Sequence, residues 1–305
     1  MEDIALTRTL LAQGFGHAEL LRMQRRGELS RVRRGAYASG PIPEQPTGPE
    51  VDERHLQLIF AAAPQLLPGA VVSHGSAAVL HGLPVWPGSV AQVHDTRSRS
   101  TGAKRRSLVE VHGATLAEQQ VVPVAGIPTT SLARTVLDLG RTLPFEQAVA
   151  AGDAALRLGL SIGDLEYALL GMEHWPGVRR ARRVAGFLDA GSESAGESVS
   201  RVRIMEAGLP RPNLQQRIYD HNGLLVARSD FYWEEERTIA EFDGMVKYGR
   251  LLKPGQGIAD VIFAEKQRED ALRDLGWQVV RWLWADLYRR GVIRDRVLRA
   301  FARSR

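Results

Sequence analysis

Apolar positions change their spacing several times along the chain, and each change predicts a new element. Residues Thr7–Gln13 carry Leu10 and Leu11 and stop at Gly14. A second helical stretch, His17–Arg26, carries Leu20, Leu21 and Met23 and ends at Gly27, a residue suited to the left-handed position after a helix. From Leu29 to Tyr37 apolar and basic residues alternate into a glycine turn, which predicts a hairpin. A Pro-rich stretch over Gly40–Gly48 reads as a linker. Beyond it come a helix over Asp52–Leu67, a strand at Val71–Val72, a helix capped by Ser73 to about His81, and strands near Val90–His94, Leu108–Val111 and Val121–Val124. Helices follow over Ser131–Leu139, Pro144–Leu158 and Ile162–Leu170. From Ser192 the pattern gives a helix (Ser194–Ala207), strands at Gln215–Tyr219, Leu224–Trp233 and Thr238–Phe242, a helix (Ile258–Leu275), a strand (Gln278–Leu283) and a terminal helix. That order is αβββαβ, and Asn222-Gly223 between its first two strands is a strong hairpin signal.

Helix, helix and basic hairpin together describe a winged helix-turn-helix. Arg22, Arg25, Arg26, Arg31, Arg33 and Arg34 surround a single acid, Glu28, and predict phosphate contacts on DNA that carry little sequence information. The expected fold is thus α+β and multidomain. A winged helix occupies 1–42, a mixed α/β and helical middle region 50–188, and an αβββαβ domain 192–305.

Composition narrows the classes without choosing among them. The 305 residues are 44% hydrophobic and 25% charged, which excludes disordered and collagen-like chains. With no Cys, a disulfide framework, a zinc ribbon and a thiol nucleophile are excluded. No leader pattern and no run of 18 apolar residues is present, so the expectation is a cytoplasmic protein with no membrane partner. A net charge of +5 permits a polyanionic partner. Only four basic residues are Lys, and Lys247, Lys253 and Lys266 fall close together, which suggests a need for a compact ammonium there. His74 and His81 form the best histidine pair; seven residues apart and without an acidic third ligand, they read as packed or capping residues rather than a metal site. Trp277, Trp282 and Trp284 read as core rather than as a stacking platform for bases. The terminal stretch Arg289–Arg305 holds seven Arg against one acid, Asp295, and fits either a solvated face or a phosphate track.

Geometry adds a candidate site. A tight turn centred between Glu235 and Glu236 sets Asp230 opposite Glu241, and Asp243 shares their face by strand period. Opposed carboxylates repel, and a divalent cation turns that repulsion into coordination. Asp230, Glu241 and Asp243 with waters suit Mg²⁺ or Mn²⁺. A slip of one residue would put the two acids on opposite faces.

Two resemblances carry the functional expectation. RMQRRGELSRVRRGAYA (22–38), SHGSAAVLHGL (73–83) and GIPTTSLARTVLDL (126–139) resemble AbiEi-type antitoxins of type IV toxin–antitoxin systems over roughly residues 1–140. That likeness implies a DNA-binding autoregulator and a cognate toxin as partner, although the helix that usually opens such a module would fall before Met1. Gly196-Glu197-Ser198, Ser229-Asp230-Phe231, Ala240-Glu241-Phe242-Asp243-Gly244 and the run from Arg268 to Arg281 resemble the PD-(D/E)XK nucleases, more closely the very-short-patch repair branch, over about 192–290. By that likeness Asp230 and Glu241 hold the metal, Glu197 assists from its helix, and a metal-bound water attacks the phosphodiester. The family's Lys two residues after the Glu is replaced by Asp243; Lys247 or Lys266 is the candidate substitute. The leading expectation is a Mg²⁺-dependent DNA endonuclease, a homodimer if it cuts both strands. The alternative is a non-catalytic antitoxin or transcriptional autoregulator with a degenerate nuclease fold. An RNA substrate is a third option.

Overall fold

A computed structural model of the chain describes residues 4–40, 49–98, 104–106, 109–244 and 258–304. The chain is mixed α/β and divides into two compact units, Met1–Phe187 and Leu188–Arg305. The boundary falls beside the one expected between 188 and 192. The two segments expected as separate N-terminal domains share the first unit.

That unit opens with strand β1 (Ile4–Leu6), helices α1 (Thr7–Ala12) and α2 (His17–Arg25), and strands β2 (Leu29–Arg33) and β3 (Ala36–Ser39). The strands form an antiparallel three-stranded sheet in the order β1-β3-β2. Leu10, Leu20 and Leu29 meet under it with Ala5, Phe15, Met23 and Tyr37. Gly27 ends α2 at φ +73°, which lets the Glu28 N–H return to the Met23 carbonyl at 3.0 Å and turns the chain into β2. Helix α3 (Pro49–Ala62) packs on all three strands and on the next layer, tying the N-terminal segment to the rest of the unit. Its buried stripe is Val51, His55, Ile59 and Ala62, at helical spacing.

The second sheet has six strands in the order β6-β7-β5-β4-β9-β8. They are β4 (Val71–Val72), β5 (Val93–Arg97), β6 (Lys104–Arg106), β7 (Val109–Gly113), β8 (Val121–Val124) and β9 (Ile127–Thr130). The β5–β7 and β4–β9 pairs are parallel. Helices α4 (His74–Leu80), α5 (Leu132–Thr142), α6 (Phe145–Arg157), α7 (Ile162–Leu170) and α8 (Val178–Ala185) complete the unit. The Ser131 hydroxyl accepts the Arg134 N–H and caps α5. Strands β1, β6 and β9 and helix α8 are additions to the expected elements.

The second unit runs α9 (Ala195–Glu206), β10 (Asn213–Tyr219), β11 (Leu225–Trp233), β12 (Thr238–Phe242), α10 (Ile258–Asp274), β13 (Gln278–Trp282), α11 (Trp284–Leu287) and α12 (Val292–Arg303). Sheet order is β10-β11-β12-β13, antiparallel except for β13, which lies parallel to β12 after the α10 crossover. β12 is central and buried along its whole length. Ile218, Ala227, Ile239, Leu272 and Trp277 form one core; Phe231 stacks on Trp282, and Trp233 meets Phe301 edge-on. Each such fully buried large apolar side chain contributes about 1.5–3 kcal/mol. Trp282 and Trp277 are therefore core residues, as expected. The turn between β10 and β11 is a longer loop closed by Asp220, whose carboxylate accepts the N–H groups of Asn222 and Leu224. Among the described residues no helix is long and apolar enough to cross a membrane.

Candidate functional site

The β11–β12 register pairs Phe231 with Ala240, Tyr232 with Ile239 and Trp233 with Thr238, the alignment that brings Asp230 and Glu241 abreast. The ladder ends there because the Asp230 carboxylate itself accepts the Phe242 N–H at 2.8 Å. On the other side the β10–β11 register brings Gln215 abreast of Asp230, and Glu241 is paired directly with Arg281 on β13. Gln215, Asp230, Glu241 and Arg281 thus form a row, one residue per strand.

Glu241 is nearly buried and faces two guanidinium groups. Arg268 of α10 reaches its two oxygens with Nη1 and Nη2 at 2.8 and 2.9 Å, and Arg281 Nε donates to Oε2 at 3.0 Å. Both arginines also bond Glu265, and Arg281 pairs with Glu269 at 3.0 Å. Burial works against the Arg268 charge, but hydrogen bonds to Glu241 and Glu265 outweigh it and raise its pKa. For Arg281, burial is outweighed by the field of Glu241, Glu265 and Glu269. Asp243 continues the row of acids, 4.0 Å from Arg281 Nε.

Glu197 sits in the first turn of α9, and its carboxylate is held by one backbone and two side-chain donors. It accepts from the Glu193 N–H at 2.8 Å, the Ser194 hydroxyl at 2.7 Å and Gln215 Nε2 at 2.9 Å. Next to it, Gly196 lies against the Phe242 ring so closely that a Cβ there would be 2.0 Å from a ring carbon. This contact sets α9 directly on β12.

Asp230, Glu241 and Asp243 do not present three ligand oxygens within 4.8 Å of one another; among the described residues only His94, Glu110 and His112 form such a group. With both Glu241 oxygens on Arg268, this arrangement does not fit a three-carboxylate Mg²⁺ or Mn²⁺ site. The ammonium expected beside these acids is not among the described contacts of Glu241. Lys247 lies outside the described residues, as does Lys253, while Lys266 is exposed on α10.

In the N-terminal segment Arg22 and Arg25 lie exposed on α2 and Arg26 just after it, and Arg31 and Arg34 lie exposed on the β2–β3 hairpin. Arg26 pairs loosely with Glu28 at 3.6 Å. Arg33 is half-buried, its Nε has no hydrogen-bond partner, and desolvation lowers its pKa. The cationic residues thus divide into five on the surface and one turned inward.

A cluster that the sequence reading missed lies on the six-stranded sheet. His94 of β5 is paired with Glu110 of β7, and Thr96 with His112, so Glu110 and His112 share a strand face with His94 beside them. His94 Nδ1 is 3.0 Å from His112 Nε2. His74, at the start of α4 with φ +51°, stacks on His112 with ring centroids 3.6 Å apart. Ser73 bonds His74 Nδ1 at 3.0 Å and accepts from Thr96 at 2.8 Å. Burial lowers the pKa of all three histidines, that of His112 to about 3. His81 instead bonds the Thr130 carbonyl at 2.7 Å, in keeping with a packing role. Beside the stack, Asp138 of α5 accepts Arg134 Nε at 2.8 Å and Arg141 Nη1 at 2.9 Å, and both guanidinium groups lie on the Trp175 ring.

The chain matches no family model. It is similar to two uncharacterised Mycobacterium tuberculosis proteins, MT2308 and Rv2248, one from each of two strains. Identity with each is 32% over 184 residues, which is 60% of this chain. The match spans 65% of the length of those relatives, just under two thirds. Among solved structures, the crystal structure of the Mycobacterium tuberculosis protein Rv2827c aligns with a TM-score of 0.39 at 15% identity, covering 73% of this chain and 86% of that one.

Proposed function

We propose that this is a DNA-binding protein whose first unit docks on duplex DNA and whose second unit is a nuclease-like scaffold without hydrolytic activity, the arrangement of an antitoxin or transcriptional autoregulator. Support for the DNA half comes from the exposed Arg22, Arg25, Arg26, Arg31 and Arg34, gathered on one helix and one hairpin. Such a surface displaces counterions from the phosphate backbone with little demand on base sequence. The observation that carries the second half is the clamp on Glu241. A carboxylate whose two oxygens are held by Arg268, with Arg281 on one of them, is a structural anion.

A second reading, the metal-dependent DNA endonuclease, is favoured by the register that brings Asp230 and Glu241 abreast on adjacent strands and by the αβββαβ order. It requires Arg268 to release Glu241.

One experiment separates the two. Full-length protein is tested for duplex binding by fluorescence anisotropy. Plasmid cleavage is then followed in Mg²⁺ and Mn²⁺, with EDTA as control, for wild type, Glu241→Ala and Asp230→Asn. Binding without cleavage is expected. Metal-dependent cleavage that both substitutions abolish would establish the endonuclease instead, and absence of duplex binding at low salt would refute the DNA-binding reading.

A further inference from the structure

The histidine cluster of the first unit serves neither half of that function. Its backbone frame is rigid: His94 and Glu110 are direct partners on parallel strands, and His112 follows two residues after Glu110 on the same face. Sites built on strands hold ligand geometry better than sites built on loops. His94 Nδ1 and His112 Nε2 approach to 3.0 Å, and one ring nitrogen of each histidine and a Glu110 oxygen lie within 4.8 Å of one another. Two ligands of a tetrahedral Zn²⁺ at Zn–N of about 2.0–2.1 Å stand about 3.3 Å apart, so the nitrogens need separate only slightly to take an ion between them.

The surroundings show the support that such a site needs. The His74 ring lies over His112 and fixes its plane, and the Thr96–Ser73–His74 hydrogen bonds fix His74 in turn. His74 holds its place with a left-handed backbone at φ +51°, a conformation that costs a non-glycine residue about 1–3 kcal/mol and gathers at functional positions. Two imidazoles and a carboxylate thus share one patch of sheet, with a third imidazole laid over them from α4.

We propose that His94, Glu110 and His112 bind a single divalent transition-metal ion of the zinc class, with at least one coordination position left for water or an exogenous ligand. Two imidazoles and a carboxylate select Zn²⁺, Co²⁺ or Ni²⁺ over Mg²⁺ or Ca²⁺, which take oxygen ligands. The site lies wholly within the first unit and is independent of the carboxylates of the second.

The probe is Co²⁺. Full-length protein is stripped with EDTA, returned to excess Mg²⁺ and titrated with Co²⁺. One equivalent should bind with visible ligand-field absorption and be displaced by Zn²⁺. His94→Ala, His112→Ala and Glu110→Gln should each weaken binding by more than the roughly 10- to 100-fold typical of losing an outer partner of a ligand, with His81→Ala unchanged. On the wild-type protein alone, Zn²⁺ should move the ring ¹⁵N resonances of His94 and His112, which decides the matter even if a variant fails to fold. No absorption at one equivalent, a band that persists in the His94→Ala/His112→Ala double variant, or ring resonances unmoved by Zn²⁺ would each overturn the proposal.

Discussion

Arg268 meets Glu241 end-on, two nitrogens to two oxygens at 2.8 and 2.9 Å, across the gap between helix α10 and the central strand β12. Fork-to-fork pairing of this kind is the strongest geometry open to an Arg and a carboxylate. It also fastens the helix to the central strand of the sheet.

Removing the anion leaves two arginines facing a nearly buried strand. Glu241→Ala is expected to destabilise the second unit by about 2–4 kcal/mol, the cost of breaking a largely buried ion pair from one side. Arg268→Ala should cost less, since Arg281 still serves Glu241. Urea unfolding followed by tryptophan fluorescence measures both, because four of the six Trp residues belong to this unit. Equal losses for the two variants would contradict the shared-partner arrangement.

In the first unit, Arg134 is buried against Asp138 and lies on Trp175. Arg134→Ala strands a buried carboxylate beside only Arg141 and should cost about 3–5 kcal/mol. Arg134→Lys should recover little, since an ammonium cannot both grip Asp138 and lie flat on an indole. Thermal unfolding of the three proteins provides the comparison.

Acid should weaken the first unit before the second. Burial holds the pKa of His55 down to about 4, and that of His112 to about 3, from an ordinary value of 6.5. Between 6.5 and those values the unfolded chain takes up protons that the folded chain refuses. Stability is therefore complete above pH 6.5 and falls as pH drops, by up to about 1.4 kcal/mol per pH unit for each histidine, until the folded-state value is reached. Melting profiles from pH 7 to 4 test this, and His55→Gln should flatten the upper part of the decline.

Duplex binding should depend steeply on salt. If Arg25 and Arg31 each neutralise one phosphate, the Arg25→Ala/Arg31→Ala double variant lowers the slope of log affinity against log salt by about 1.8, with no change in the relative order of DNA sequences. A change in sequence preference would place those side chains on bases instead.

The carboxylate register was legible in the sequence because a short turn between two strands admits few alignments, and the one centred between Glu235 and Glu236 is the one adopted. The partners of Glu241 were harder to read. Arg268 and Arg281 stand 27 and 40 residues further on, and only the crossover through α10 returns them to β12. Helix α8 gives a weak sequence signal because its buried face is only Val178, Ala181 and Val184 among four arginines. The histidine cluster is hard to read for a related reason. Glu110 and His112 two residues apart on a strand were a visible signal, but strand order joins them to His94, and no local pattern foretells that β5 and β7 are neighbours.

Gly196 has a genetic consequence. Even a methyl group there would lie 2.0 Å from a Phe242 ring carbon, so no residue with a side chain enters without displacing that buried ring or the helix itself. In a saturation mutagenesis screen position 196 would therefore tolerate substitution as poorly as a residue that performs chemistry, for a purely steric reason. Its neighbour Glu197, tied to Glu193, Ser194 and Gln215, would be intolerant beside it. Two adjacent intolerant positions would then look like a single motif in the data, although what Gly196 preserves is the fit of a helix on a strand.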